Sequence, residues 1–260
     1  MAEKLSTRKE LRQPDALQRA GLEAREWIQQ RRRAVIIGVA AVILIALGAA
    51  LASYLSDRGE DRAAKDLGAA LKILDRPVAE NAQADATPGN EAPFRSQGEK
   101  DQSAVKSLSD FRSQHPGTRG AVTAALPLAD ALYRLGDYDQ ALVAYSEFLK
   151  KAREDDPLRA AALEGEGYTY EAKGQLDQAL SSFDQLSKMK SEFLAGMGTF
   201  HRGRILALQG KKDEAAKVFA ELVAAHPSSA AARMAQERIA VLASEGVKIP
   251  SVAPAADAGV

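Results

Sequence analysis

The sequence predicts an all-α protein: a single N-terminal transmembrane helix followed by a stack of helical hairpins, an α-solenoid. Three observations carry this. Residues 34–55, AVIIGVAAVILIALGAALASYL, run for 22 positions with neither charge nor proline. Three later segments repeat one apolar pattern around a central glycine. The charge is unevenly shared, with nine Lys/Arg against five Asp/Glu in residues 1–33 and 26 against 30 in residues 56–260, although the whole chain is neutral.

Residues 1–33 read as a basic cytoplasmic leader. Within it, PDALQRAGLEAREWIQQRRR (14–33) has helical character: Pro14 suits a first helical position, and Leu17, Ala20, Ala24, Trp27 and Ile28 recur at helical spacing. Trp27 stands at headgroup depth before the apolar run, so the segment is expected to rest on anionic lipid or to dock a partner.

Residues 34–55 are expected to cross a membrane. A helix of this length reaches roughly 33 Å against about 30 Å of hydrocarbon. Its ten Ile, Leu and Val between Val35 and Leu51 favour insertion by roughly 3–6 kcal/mol. Arg31, Arg32 and Arg33 hold the N-terminal side in the cytoplasm, which exports the larger C-terminal part. Ala50-Leu51-Ala52 resembles a signal-peptidase site. The run is nevertheless too long for a signal core and starts 33 residues into the chain, so it is read as a retained anchor.

Residues 56–246 are expected to form the hairpin domain. LADALYRLGDYDQALVAYSEFL (128–149), EGYTYEAKGQLDQALSSFDQL (166–186) and RGRILALQGKKDEAAKVFAEL (202–222) are each an apolar-periodic helix, a glycine and a second such helix. Five residues after Gly136, Gly174 and Gly210 stand Ala141, Ala179 and Ala215; four further on stand Tyr145, Phe183 and Phe219, then Phe148, Leu186 and Leu222. Ala129, Gly167 and Gly203 lie seven before the glycines. The glycines suit the positive φ that ends a helix, and small residues on both helices are expected to meet at a close crossing. One hairpin cannot bury its apolar face alone; a stack can.

Upstream, Ala104, Leu108, Phe111 and Pro116 repeat the spacing of Ala215, Phe219, Leu222 and Pro227. A second helix therefore precedes the first full hairpin, and its partner is expected at 60–75, with Leu67, Gly68 and Leu71 on the packed face. The first repeat is thus split by residues 76–98, expected to be a mobile insertion. A last helix at about 229–244, capped by Ser228 or Ser229, covers the final hairpin with Met234, Ile239 and Leu242. Residues 247–260 lack periodicity and are expected to be disordered.

This pattern resembles the tetratricopeptide repeat, whose period is 34 residues. It departs in places. The glycines here are 38 and 36 apart, so the turns between repeats are longer. Glu166 and Arg202 stand where the family favours Leu; they could pair with each other across repeats, but are expected to lean into solvent. Lys212 replaces a Tyr-like residue that Tyr138 and Leu176 keep.

No catalytic constellation, metal-ligand spacing or cofactor motif is found, so no enzyme activity, metal or cofactor is expected. There is no cysteine, and hence no disulfide framework or thiol nucleophile. His115, His201 and His226 are read as structural. With no basic stripe in the exported part, nucleic acid is not an expected partner.

In the tetratricopeptide family the first helices of successive hairpins line a groove that takes extended or partly unfolded peptide. By position, the resemblance places Asp130, Tyr133 and Arg134 in that groove from the first full repeat, Glu164, Tyr168 and Glu171 from the second, and Phe200 and Arg204 from the third. The basic cluster with which some relatives clamp a C-terminal carboxylate is missing. The basic leader with Trp27, the single span and the split repeat domain together resemble the YfgM family over most of residues 15–245. That likeness implies a bacterial inner-membrane protein with a periplasmic C-terminal domain, ancillary to the Sec translocon. Its partners would be translocon subunits, periplasmic chaperones or exported chains. A scaffold for outer-membrane or cell-wall assembly is the alternative.

Overall fold

The computed structural model describes residues 31–79 and 92–252, and divides the chain into two units, Met1–Arg58 and Gly59–Val260. The expected leader helix at 14–33 falls almost wholly outside the described residues.

Helix α1 (Arg32–Asp75) contributes to both units. In the first it carries the apolar run. Ile43, Leu44, Ile45, Leu47 and Leu51 are all more than half exposed, and the apolar stretch of this helix is long enough to cross a membrane with none of it buried inside the protein.

In the second unit the expected helix at 60–75 is not separate. It is the C-terminal part of α1, because residues 56–75 contain no proline and are mostly strong helix formers. Its partner is α2 (Gln97–Gln114), started by Ser96, whose Oγ accepts the Glu99 amide at 3.1 Å. The Ser107 hydroxyl donates to the Ala70 carbonyl, and the His115 ring lies 2.9 Å from Asp66. Ala63, Ala70, Ala104, Leu108 and Phe111 share one core.

The stretch between α1 and α2 departs from the expected mobile insertion. Val78 and Phe94 form an isolated β-bridge, Phe94 is buried, and the Arg76 guanidinium lies 4.0 Å above its ring. Both ends of the insertion are therefore fastened. Residues 80–91 lie outside the described residues.

Seven helices follow: α3 (Arg119–Arg134), α4 (Tyr138–Lys151), α5 (Arg159–Ala172), α6 (Leu176–Ser187), α7 (Glu192–Leu208), α8 (Lys212–Ala225) and α9 (Ala230–Ser244). From α2 onward each packs on the next, while α3 also touches α5 and α7 touches α9. This is a stack of antiparallel hairpins. Gly136, Gly174 and Gly210 have φ of 79°, 72° and 78°. Past each, the following amide reaches back to close the helix end: Asp137 to Leu132, Gln175 to Tyr170 and Lys211 to Leu206, all within 3.0 Å. Ala141, Ala179 and Ala215 are all fully buried. Their amides all donate the same 3.0 Å first-turn bond, to the carbonyls of Asp137, Gln175 and Lys211 respectively.

The small residues on the first helices work differently from the expected Ala-on-Ala crossing. A Cβ on Gly167 would lie 2.6 Å from the Phe183 ring, and one on Gly203 would lie 2.5 Å from the Phe219 ring. The missing side chain makes room for the aromatic of the same hairpin. Gly165 does the same for Tyr145 of the preceding hairpin. Glu166 and Arg202 neither pair with each other nor lean free. Glu166 accepts the Ser182 hydroxyl at 2.8 Å, and Arg202 reaches Asp184 at 3.3 Å on the hairpin before its own.

Ser229 supplies the last cap, accepting the Ala232 amide at 3.0 Å. Helix α9 ends as the first helices do, with Gly246 at φ 87° and Val247 donating to Leu242. The expected disorder of the tail does not begin there: Val247 and Ile249 pack against the final core. Residues 253–260 lie outside the described residues.

Candidate binding face

The first helix of each hairpin is α3, α5 or α7, and α9 ends the series. Side chains six and three residues before the closing glycines stand on the face these helices share. Asp130 and Tyr133 come from α3, Tyr168 and Glu171 from α5, and Arg204 from α7. The helical repeat of 3.6 puts these offsets one turn apart, so each repeat offers two neighbouring positions.

Most of the polar groups on this face already have partners within the protein. Asp130 accepts the Tyr145 hydroxyl at 2.5 Å. Burial raises the Asp130 carboxyl above the usual carboxylate range, the tyrosine bond only partly opposing it. Arg134 grips Asp101 of α2 through Nε and Nη2, the latter at 2.8 Å, and Asp101 is only 2% exposed. Tyr133 leans on Tyr138, ring centroids 5.7 Å apart. Arg204 holds Glu171 in a two-pronged pair, one prong at 2.7 Å, and its guanidinium lies 5.5 Å from the Tyr168 ring.

Between α5 and α7 lies a ring cluster centred on His201. His201 is 2% exposed. It stacks on Phe183 at 4.7 Å and meets Tyr168 and Phe200 edge-on at 5.2 and 5.4 Å. Its Nε2 lies 3.2 Å from Glu164 and 3.3 Å from the Tyr168 hydroxyl. A carboxylate only accepts, so the ring proton sits on Nε2. Nδ1 is then buried with no hydrogen-bond partner. Burial, and next the Glu164 carboxylate, push the Tyr168 phenol up.

Glu164, Tyr168, Glu171 and Arg204 are therefore gathered into one patch, and Asp130, Tyr133 and Arg134 into another nearer α2. Phe200 is a correction. It is 3% exposed and packs on Phe219 at 5.8 Å, so it belongs to the core and lines no groove. The family position it occupies points outward in the second repeat. In the third it is an apolar ring packed against Phe219 and the edge of His201.

Two cavities open on the same face. One, of about 440 Å³, lies among Leu74, Lys100, Pro127, Asp130 and Arg134. The other, of about 340 Å³, lies between α7 and α9, floored by Ala207, Leu208, Val241 and Leu242. Leu208 is 55% exposed and Val241 49%. Four of its rim charges are paired as Glu171–Arg204 and Lys212–Glu245, the latter at 3.0 Å, and Arg238 adds a fifth, positive charge to the rim. Reading α9 as a plain cover hides these apolar floor residues. Gly246 follows Gly210 by 36 residues, the spacing that separates Gly174 from Gly210. That signal marks α9 as a further first helix. Among the described residues, no three His, Asp or Glu side chains converge as metal ligands would.

Stacked helix hairpins closed by glycine, with one shared face of first helices, define a helical-repeat scaffold for binding proteins. The chain belongs to the tetratricopeptide repeat-like domain family, whose model matches residues 25–244. No curated protein matches the chain. Domains of this family generally bind proteins or peptides and are typically non-catalytic.

Proposed function

We propose that the protein is a single-span scaffold of a bacterial inner membrane, with its N-terminus in the cytoplasm and its repeat domain in the periplasm. It binds proteins or extended segments beside the Sec translocon and passes exported chains to chaperones. The likeness to the YfgM family and the basic leader support this placement. The binding face is the one shared by the first helices, with Asp130, Tyr133, Arg134, Glu164, Tyr168, Glu171 and Arg204 as its polar part.

The observation that carries the binding role is the cavity between α7 and α9. Its floor is apolar and accessible, and four of its five rim charges neutralise one another, leaving the positive charge of Arg238. Such a slot takes an apolar side chain from a partner, with only the rim Arg238 favouring a nearby acidic group, which suits sequence-tolerant contact with unfolded chains. Anchoring makes weak affinity sufficient, because a groove held beside an export channel meets its clients at high effective concentration.

A photoreactive residue in place of Leu208 or Val241, in the full-length protein in native membranes, tests this. The expected products are crosslinks to translocon subunits, chaperones or exported chains. Crosslinks only between copies of the protein itself overturn it.

A further inference from the structure

The hairpin stack has two edges, and they differ. The turns from first to second helix are three residues long, 135–137, 173–175 and 209–211. Those from second to first helix are longer: 115–118, 152–158, 188–191 and 226–229. Because consecutive helices reverse direction, every first helix starts on this second edge. The edge is also where the repeat domain begins, since the Glu60 carboxylate accepts the Arg119 amide at 3.1 Å, at the very start of α3.

This edge carries exposed apolar side chains. Phe193, in the first turn of α7, is 65% exposed, and Leu158, just before α5, is 39% exposed. They flank a cleft of about 590 Å³ in which Pro157, Leu163, Met189 and Leu194 meet. The residues that build it come from the turns at 152–158 and 188–191 and the helix starts beside them. Nothing in the repeat pattern needs a large exposed ring there, since Phe193 belongs to none of the buried cores.

We propose that this edge rests on the bilayer surface, with Phe193 and Leu158 dipping into the interfacial layer. The inference rests on residues 34–55 crossing the membrane. Four residue steps separate Leu55 from Gly59, at most roughly 14 Å of chain. The end of the edge at Gly59 and Glu60 is therefore tethered within that distance of the lipid. An exposed Phe and Leu on it find an apolar phase within reach and need no protein partner. The charges do not drive the attachment. Glu154, Asp155 and Asp156 are matched in number by Arg159, Lys188 and Lys190 among the residues lining the cleft, so neither sign prevails. The attachment is apolar and, unlike that of a polybasic segment, insensitive to salt.

The protein has no cysteine, so single spin labels can be placed cleanly. Full-length protein would be reconstituted in vesicles of phosphatidylethanolamine and phosphatidylglycerol, with labels at Leu158→Cys, at Lys190→Cys, at Lys211→Cys on the opposite edge, and at Leu44→Cys in the span. Collision with oxygen, which partitions into lipid, is compared with collision with a water-soluble nickel chelate. The expected result is lipid-type accessibility at Leu44, interfacial accessibility at Leu158 and Lys190, and full water exposure at Lys211. Phe193→Asp added to Lys190→Cys should weaken the attachment by roughly tenfold. That substitution lies on an exposed position, so the fold is kept, which helical circular dichroism checks.

Labels at Leu158 and Lys190 as water-exposed as Lys211, with Leu44 still in lipid, overturn the proposal and leave the anchor intact. Shielding from both oxygen and chelate means a protein covers the edge, and overturns it too. An attachment that disappears in roughly 0.5 M salt is electrostatic and refutes the apolar mode. Water exposure at Leu44 removes the anchor itself, and the surface attachment with it.

Discussion

Replacing Gly167 by Ala is the sharpest test of how the repeats pack. In an ordinary helix this change stabilises by about 1 kcal/mol, because alanine is the better helix former. Here the added Cβ would lie 2.6 Å from the Phe183 ring. An ordinary contact begins near 3.4 Å, so ring and helix must separate by most of an ångström. The ring has little room to retreat, stacked on His201 at 4.7 Å and crossed by Tyr168 at 5.6 Å. Overpacking of this kind costs about 1–3 kcal/mol, which cancels or outweighs the propensity gain and leaves a net loss of about 0–2 kcal/mol. Gly68 provides the comparison. It is helical and exposed, with nothing within 4 Å of where its Cβ would stand, so Gly68→Ala should stabilise. Urea unfolding of the full-length protein in mild detergent, followed by helical circular dichroism, reads both. A Gly167→Ala protein as stable as the Gly68→Ala protein would refute the ring-in-gap packing.

Three further outcomes follow from the polar contacts. Arg134→Gln should cost roughly 2 kcal/mol, because it strips the main partner from the nearly buried Asp101, the low end applying since Arg134 itself is partly in water; Asp101→Asn in the same protein should recover part of the loss in the same unfolding assay. Tyr145→Phe should destabilise by about 1–3 kcal/mol by leaving the half-buried Asp130 carboxylate without its donor, and an unchanged midpoint would show that water replaces the hydroxyl. Burial raises the folded-state carboxyls of Asp130 and Glu166, so the native state holds these protons more tightly and stability from these groups falls as pH rises through their raised values. Relative to Asp130→Asn/Glu166→Gln, the wild type should therefore gain stability as pH is lowered from neutrality towards the ordinary carboxylate range. Glu147, held low by Lys151 and then by Arg112, has the opposite sign but acts only below the ordinary glutamate range.

Much of the fold is legible in the chain because its physics is local and periodic. A glycine that must take positive φ, an alanine five residues on and an aromatic four beyond that specify a hairpin, and Gly136, Gly174 and Gly210 all close helices as their spacing required. That one helix is long and apolar enough to cross a membrane is legible for the same reason, through length and apolarity alone. What the pattern hid depends on which atoms meet across the stack. A small residue at position 167 signals close approach, but not that an aromatic ring fills the gap. Phe200 looks like a groove residue by position but is an apolar ring buried against Phe219 and His201. His201 was readable in principle: Leu194, Gly198, His201 and Ile205 lie at helical spacing on one stripe, and a histidine there is a core residue in need of partners. That its partners are Glu164 and Tyr168, some 35 residues earlier, follows from the longer turns and not from any local signal.

Helix α9 closes its end with a glycine turn like any first helix, yet among the described residues after it only Val247 and Ile249 pack on the final core. A stack held by nearest-neighbour contacts is weakest where a neighbour is lacking. Amide protons of α9 should therefore exchange first, those of α8 and α7 next, and those of α3 and α4 last. Loss of structure would advance as a front from the C-terminal end, opening the slot at Leu208 and Val241 while the N-terminal hairpins still hold.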